Sequence, residues 1–402
     1  MTPNTSRILR LFTTSALLTT GLGALGTACL SRPIDPLEAR TTFTTQSMLP
    51  RSNINKIDIL FVIDDSGSMG DKQTVLAQAV PDLITTLANP PCTASDGSYV
   101  SSPADPFSDC PKGSQRDFKA IHDIHLAVIS TDLGARGGTG SCDKDGLGAG
   151  AKPLVATPDD GTLPSVDGKG FLAWDPAGAP PGSGRYDDIQ ALAKDLEKIV
   201  RGVGQAGCGL EAPLESWYRF LVDPKPFTTV SIDKDNYRAS VAGDDTELKA
   251  QREAFLRPDS LVAIVMLTDE NDCSFQSTGF GHITNTPHGP GEFLRARSEC
   301  AVDVNDPCCA PCSQTMANCQ ADPQCQSAES PFHQKSNLGC FDQKRRFGMD
   351  LLYPVSRYVD ALTKEEVPSS DGTTGVNRLL VSKDGLHRGL DRIFLTGIVG
   401  VP

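Results

Sequence analysis

The stretch Lys56-Ile57-Asp58-Ile59-Leu60-Phe61-Val62-Ile63-Asp64-Asp65-Ser66-Gly67-Ser68-Met69-Gly70 decides the fold. Its first eight residues are almost continuously apolar, the mark of a strand buried on both faces, as in a parallel sheet covered by helices. A tight polar loop follows. Beyond it, Val75, Leu76, Ala79, Val80, Leu83, Ile84 and Leu87 recur at three- and four-residue spacings and predict an amphipathic helix. Pro81 lies inside that helix and is expected to kink it or split it in two.

Working outward, the same pattern returns. Buried strands are predicted at 124–130 and 261–268, with a last strand at 393–399. Helices are predicted at 187–200, 211–222, 246–256 and near 345–362, the last interrupted at Pro354. Such alternation gives an α/β fold, a doubly wound and mostly parallel sheet. Three stretches break the pattern and read as insertions: 89–117, 133–186 and the cysteine-dense 273–340. The second holds thirteen Gly and six Pro and predicts irregular structure rather than a domain. One domain spanning 54–402 accounts for the chain after its N-terminal segment.

That segment reads as an address. Arg7 and Arg10 precede an apolar run too short to span a bilayer, and Gly26-Thr27-Ala28-Cys29 follows at once. Residues 1–28 suit a signal peptide of the bacterial lipoprotein type, with Cys29 lipidated, and 29–53 suit a tether. The expected location is exported: the cell envelope, as an outer-membrane or surface lipoprotein whose lipid anchor is its membrane contact. The formal charge is −13, and removing Arg7 and Arg10 with the signal lowers it to −15. So acidic a chain is not expected to bind nucleic acid, which demands clustered cations. Thirteen cysteines are many for a reducing compartment. Apart from Cys29 they form an even set and read as disulfides; Cys309-x-x-Cys312 is read that way rather than as a zinc knuckle.

In open α/β sheets ligands gather at the carboxyl ends of the strands. Two loops there are rich in oxygen: Asp64, Ser66 and Ser68 after the first strand, and Thr268, Asp269, Glu270, Asn271 and Asp272 after the third. Alternate residues of a tight loop can turn to one side, so Asp64, Ser66 and Ser68 can converge, with Asp269 closing from the neighbouring strand. Carboxylates and hydroxyls suit a hard divalent cation. Gly202-x-Gly204-x-x-Gly207 has the spacing of a dinucleotide loop but follows a helix, and is expected to be a helix stop and turn. Asp143-x-Asp145 and Asp233-x-Asp235 lack a full calcium-loop ligand set and are read as turns.

The segments 58–69 (DILFVIDDSGSM) and 261–272 (LVAIVMLTDEND) resemble the von Willebrand factor type A (vWA) family and its metal-ion-dependent adhesion site. The resemblance implies a Rossmann-like fold. It also implies that Asp64, Ser66 and Ser68 bind the cation while Asp269 holds it through water. The family supplies a further Thr from a middle loop; the corresponding stretch, 204–211, has none, and Glu211 is the candidate replacement. The implied cation is Mg²⁺ foremost, with Ca²⁺ or Mn²⁺ as alternatives. The implied function is adhesion, in which an Asp or Glu of a protein partner completes the metal shell; no residue of the set needs to act as nucleophile or base. A metal-dependent hydrolase and a structural surface protein with a degenerate metal site are the alternatives. Cys208 and Cys273 flank the two metal loops and are expected to bridge to each other.

Overall fold

Isoleucine, leucine, valine and phenylalanine fill Lys56–Ile63, and the strand they form, β1, is central in a six-stranded sheet. In this computed structural model, residues 54–138, 147–159, 161–285, 295–326 and 340–399 are described. The other strands of the sheet are β2 (Asp123–Ser130), β3 (Leu172–Trp174), β4 (Arg185–Tyr186), β5 (Leu261–Thr268) and β6 (Ile393–Val399). Their order is β6-β5-β1-β2-β3-β4, and every neighbouring pair is parallel except β2 with β3. The core is therefore mixed α/β with a mostly parallel sheet.

Alternation along β1 sends side chains into two cores. Leu60 and Val62 join one; Ile57, Ile59, Phe61 and Ile63 join the other. Helices α1 (Gly70–Ala88) and α2 (Ile189–Gly202) bury Leu76, Val80, Ile84, Leu192, Leu196 and Ile199 in the second core. Helices α3 (Pro213–Leu221), α4 (Thr246–Phe255) and α5 (Val355–Thr363) bring Trp217, Phe220, Leu248, Phe255 and Tyr358 to the first. Helices thus cover both faces, and each large apolar side chain fully buried contributes about 1.5–3 kcal/mol. Local chemistry sets the helix starts. The Asp188 carboxylate accepts from the Gln190 and Ala191 amides, Asp245 accepts from Leu248, and Pro213 occupies the first turn of α3.

Several expectations need correction. Helix α1 runs through Pro81 without splitting; Pro81 lies beyond its first two turns, and the helix is held by the packing of Leu76, Val80 and Ile84 around it. The 133–186 insertion is not wholly irregular, because it supplies β3 and β4 to one edge of the sheet. Strand β6, at the predicted bounds, forms the opposite edge, where Leu395, Ile398 and Val399 are exposed. The 345–362 helix resolves into a short helix, Gln343–Phe347, and the separate α5, which starts after Pro354. Insertion 89–117 carries a three-stranded antiparallel sheet stapled by Cys92–Cys110.

The cysteine-dense region is disulfide-bonded as Cys300–Cys309, Cys308–Cys319 and Cys312–Cys325. Cys208 and Cys273 are both bridged but not to each other. Cys273 pairs with Cys340, across 67 residues of sequence. Adjacency in the chain to two neighbouring loops was a poor guide, because the 273–340 insertion folds back on its own start. The predicted signal, tether and Cys29, together with the Asp143-x-Asp145 turn, lie outside the described residues. Among the described residues no helix is long and apolar enough to cross a membrane.

Candidate metal centre

The register of three parallel strands builds the site. Ile63 pairs with Ser130 on one side and with Leu267 on the other, so the next residues, Thr131, Asp64 and Thr268, stand abreast. Backbone bonds continue the ladder for one more step, Asp64 N–H donating to Leu267 O at 3.0 Å and Thr131 N–H to Ile63 O at 3.1 Å. The loops that carry the polar side chains thus leave the sheet from adjacent, in-register strand ends.

The Asp64 carboxylate is fully buried. It accepts the Thr268 hydroxyl at 2.6 Å and the Ser66 amide at 2.8 Å. Gln73, on the first turns of α1, donates to both the Asp64 and the Gly204 carbonyls at 2.8 Å and so ties the first loop to the middle one. Ser66 and Ser68 hydroxyls lie 3.1 Å apart, and Ser68 donates to Asp269 Oδ1 at 2.9 Å. Asp64, Ser66, Ser68 and Asp269 therefore form one connected polar group from two loops. At its exposed rim the Lys72 ammonium sits 3.1 Å from Asp269 and donates to the Ser68 carbonyl at 2.9 Å. Asp269 and the neighbouring Asp71 carboxylate both favour the charged ammonium, Asp71 most, raising its pKa.

The middle loop closes over this group. Helix α2 ends at Gly202, and Gly204 turns the chain with φ of +79°; the stretch 202–207 is a helix stop and turn. The Gly207 amide donates to the Asp65 carbonyl at 3.0 Å, and a Cβ at Gly207 would meet the Asp65 carboxylate at 2.2 Å, so a larger residue there would displace Asp65. Glu211 lies in the turn before α3, not within it, and is wholly buried. Its Oε2 accepts the Thr131 hydroxyl, while Oε1 has no hydrogen-bond partner. Burial, then the Asp64 and Asp65 charges, push the Glu211 carboxyl up to about 10, against a smaller lowering by Thr131. Glu270 is raised as well, by burial and by Asp64 and Asp269.

Thr131 escaped the reading of the sequence. Its signal was positional: it is the first residue beyond a buried parallel strand, as Asp64 is, and stands abreast of Thr268 at the end of the next. Asp272, grouped by sequence with the acidic loop, does a different job. Its carboxylate accepts from the Leu214 amide at the start of α3 and from Ser274. The Asp233 carboxylate likewise closes a turn on Asp235 and Asn236.

A divalent cation suits this oxygen-only set. The buried Glu211 Oε1 lacks a donor, and Asp64, Asp65, Glu211 and Glu270 crowd like charges into a volume that a small cation would neutralise. Among the described residues no three His, Cys, Asp or Glu side chains converge as a metal-holding group by themselves; the converging group is two hydroxyls between two carboxylates. The chain matches no family model, and no curated protein and no solved structure is recognisably similar to it.

Proposed function

We propose that this chain is a vWA-type adhesion module with a doubly wound sheet, exported and lipid-attached through Cys29, that binds a protein partner through a divalent cation. Asp64, Ser66 and Ser68 hold the ion directly, Asp269 holds it through water, and Glu211 offers its free oxygen from the middle loop. Mg²⁺ is the foremost candidate, and Ca²⁺ gains if Glu211 ligates, since a third carboxylate suits a larger, more adaptable ion. An Asp or Glu of the partner completes the shell. The observation that carries the reading is the donorless Glu211 Oε1, buried among Asp64 and Asp65 at the carboxyl ends of β1 and β5. A buried carboxylate oxygen with no donor and two acidic neighbours is costly unless a cation joins it. The disulfides support an oxidising location.

A peptide array bearing single Asp or Glu residues in a neutral background tests the partner chemistry. Retention that requires Mg²⁺ and is abolished by EDTA supports the proposal; retention indifferent to EDTA contradicts it. A second reading draws on Lys72, whose ammonium already lies against Asp269. In it the lysine replaces the metal and the protein is a structural surface module. Cation titration separates the two.

A further inference from the structure

A second place in the molecule also holds charge that the fold leaves unmatched, and here the charge is positive. A cavity of about 220 Å³ opens between the end of α4 and the segment 378–388, lined by Arg252, Arg378, Lys383, Arg388, Glu253 and Asp384. It adjoins Leu256 and Pro258, just before β5 begins, so an eight-residue strand separates it from Asp269. At about 3.3 Å per residue the two sites are roughly 25 Å apart.

Several arginines elsewhere in this protein hold carboxylates, while the buried Arg136 donates to the Phe275 and Cys273 carbonyls. Arg257 holds Asp58 and Asp123, Arg357 grips Glu215 through two 3.0 Å bonds, and Arg219 lies 3.6 Å from Asp245. Arg252, Arg378 and Arg388 hold none among the described residues, although Arg252 is 1% and Arg388 6% exposed. Their bonds run to neutral atoms. Arg252 donates to the Phe220 and Arg219 carbonyls, Arg378 to Ser382 O, and Arg388 to Leu379, Ser260 and Arg257 carbonyls and the Ser260 hydroxyl. Asp223, the carboxylate that acts most strongly on Arg252, is engaged by Ser369 and Ser370. Lys383 lies 3.6 Å from Glu253 at the exposed rim. Within the lining, four cations face Glu253 and Asp384, an excess of two positive charges, with Asp223 acting on Arg252 and Asp58 and Asp259 on Arg388 from outside it.

We propose that this cavity binds a phosphate group. A phosphate or its monoester carries about −1.5 to −2 charges near neutral pH, which matches the excess, whereas a carboxylate carries one. Guanidinium forks suit its oxygens. The volume lies below the roughly 300–1,000 Å³ of sites for drug-sized ligands, so a small oxyanion is the right scale.

Calorimetric titration of the whole chain with inorganic phosphate, and with acetate at matched ionic strength, tests this. Expected are one phosphate bound, no detectable acetate, and a loss of about tenfold in Arg378→Gln. Lys383→Gln, at an exposed position where folding is not at stake, should weaken phosphate by a few-fold, and Asp64→Ala should leave it unchanged. No phosphate binding by the wild type, equal binding of acetate, or undiminished binding in both cavity variants overturns the proposal. Glycerol phosphate in place of phosphate then names the source, the tighter of the two being the natural form.

Discussion

The two ends of the sheet both bury charge, and they handle it in opposite ways. At the amino end Asp58, fully buried on β1, receives the Arg257 amide at 2.9 Å, its guanidinium at 2.8 Å, and the Ser260 hydroxyl. Asp123 takes the other side of the same guanidinium. At the carboxyl end Asp64, Asp65, Glu211 and Glu270 gather with one another, and Lys72 sits at the exposed rim against Asp269. Opposite charges brought together hold a fold in register. Like charges brought together are tolerated where something else is meant to join them, which is why perturbed acids cluster at functional sites.

The comparison breaks first, and hardest, at the paired end. Arg257→Ala leaves Asp58 buried without its partner and should cost about 3–5 kcal/mol in urea unfolding with disulfides intact. A cost below about 1 kcal/mol would mean that the amino end is no better paired than the carboxyl end.

The two ends should also pull stability in opposite directions with pH. His125 on β2 is buried against Phe171 and donates from Nδ1 to the Phe255 carbonyl at 2.8 Å. Burial, then Arg257, lower it to about 4 although Asp58 is 3.8 Å away. A base held neutral in the fold contributes stability that is full above about 6.5 and is lost as pH falls towards 4, on the order of 3 kcal/mol. Glu211 has the opposite sign. Its raised value means that its stability is full below its unfolded value of 4.5 and is lost as pH rises towards about 10, again on the order of 3 kcal/mol by pH 7 in metal-free protein. Unfolding of His125→Gln should lose the acid-side slope, and Glu211→Gln the slope above pH 4.5. Added Mg²⁺ should flatten the second slope and leave the first unchanged.

How much of this was legible in the sequence differs between the two ends for a physical reason. The bounds of β1, β5 and β6 follow from largely apolar runs, and Asp64 and Asp269 stand directly after two of them, with Ser66 and Ser68 in the loop that follows Asp64. Strands β3 and β4 were hidden because three and two residues inside a Gly- and Pro-rich stretch carry no period. Thr131 was hidden because its role depends on the register of β1 with β2 and on Glu211, 80 positions away in the chain, not on a local motif. The Asp58–Arg257 pair joins residues 199 positions apart, and no spacing rule reaches that far. Exposure of β6 likewise depends on sheet order, which its apolar sequence does not record.

The smallest expected effect sharpens the rim. Lys72→Met removes the ammonium beside Asp269 and should raise cation affinity about two- to fivefold, the scale of an exposed ion pair. Unchanged affinity would make Lys72 a bystander, and loss of affinity would make it a support of the site.

The central claim is that the acid-crowded end of the sheet holds a divalent cation. Calorimetric titration of the wild type with Mg²⁺, Ca²⁺ and Mn²⁺, repeated on Asp64→Ala and Asp64→Asn, tests it most directly. One ion bound by the wild type and none by either variant, with all three proteins folded by circular dichroism, is the predicted result. No binding by the wild type, or equal binding by the Asp64 variants, would contradict it.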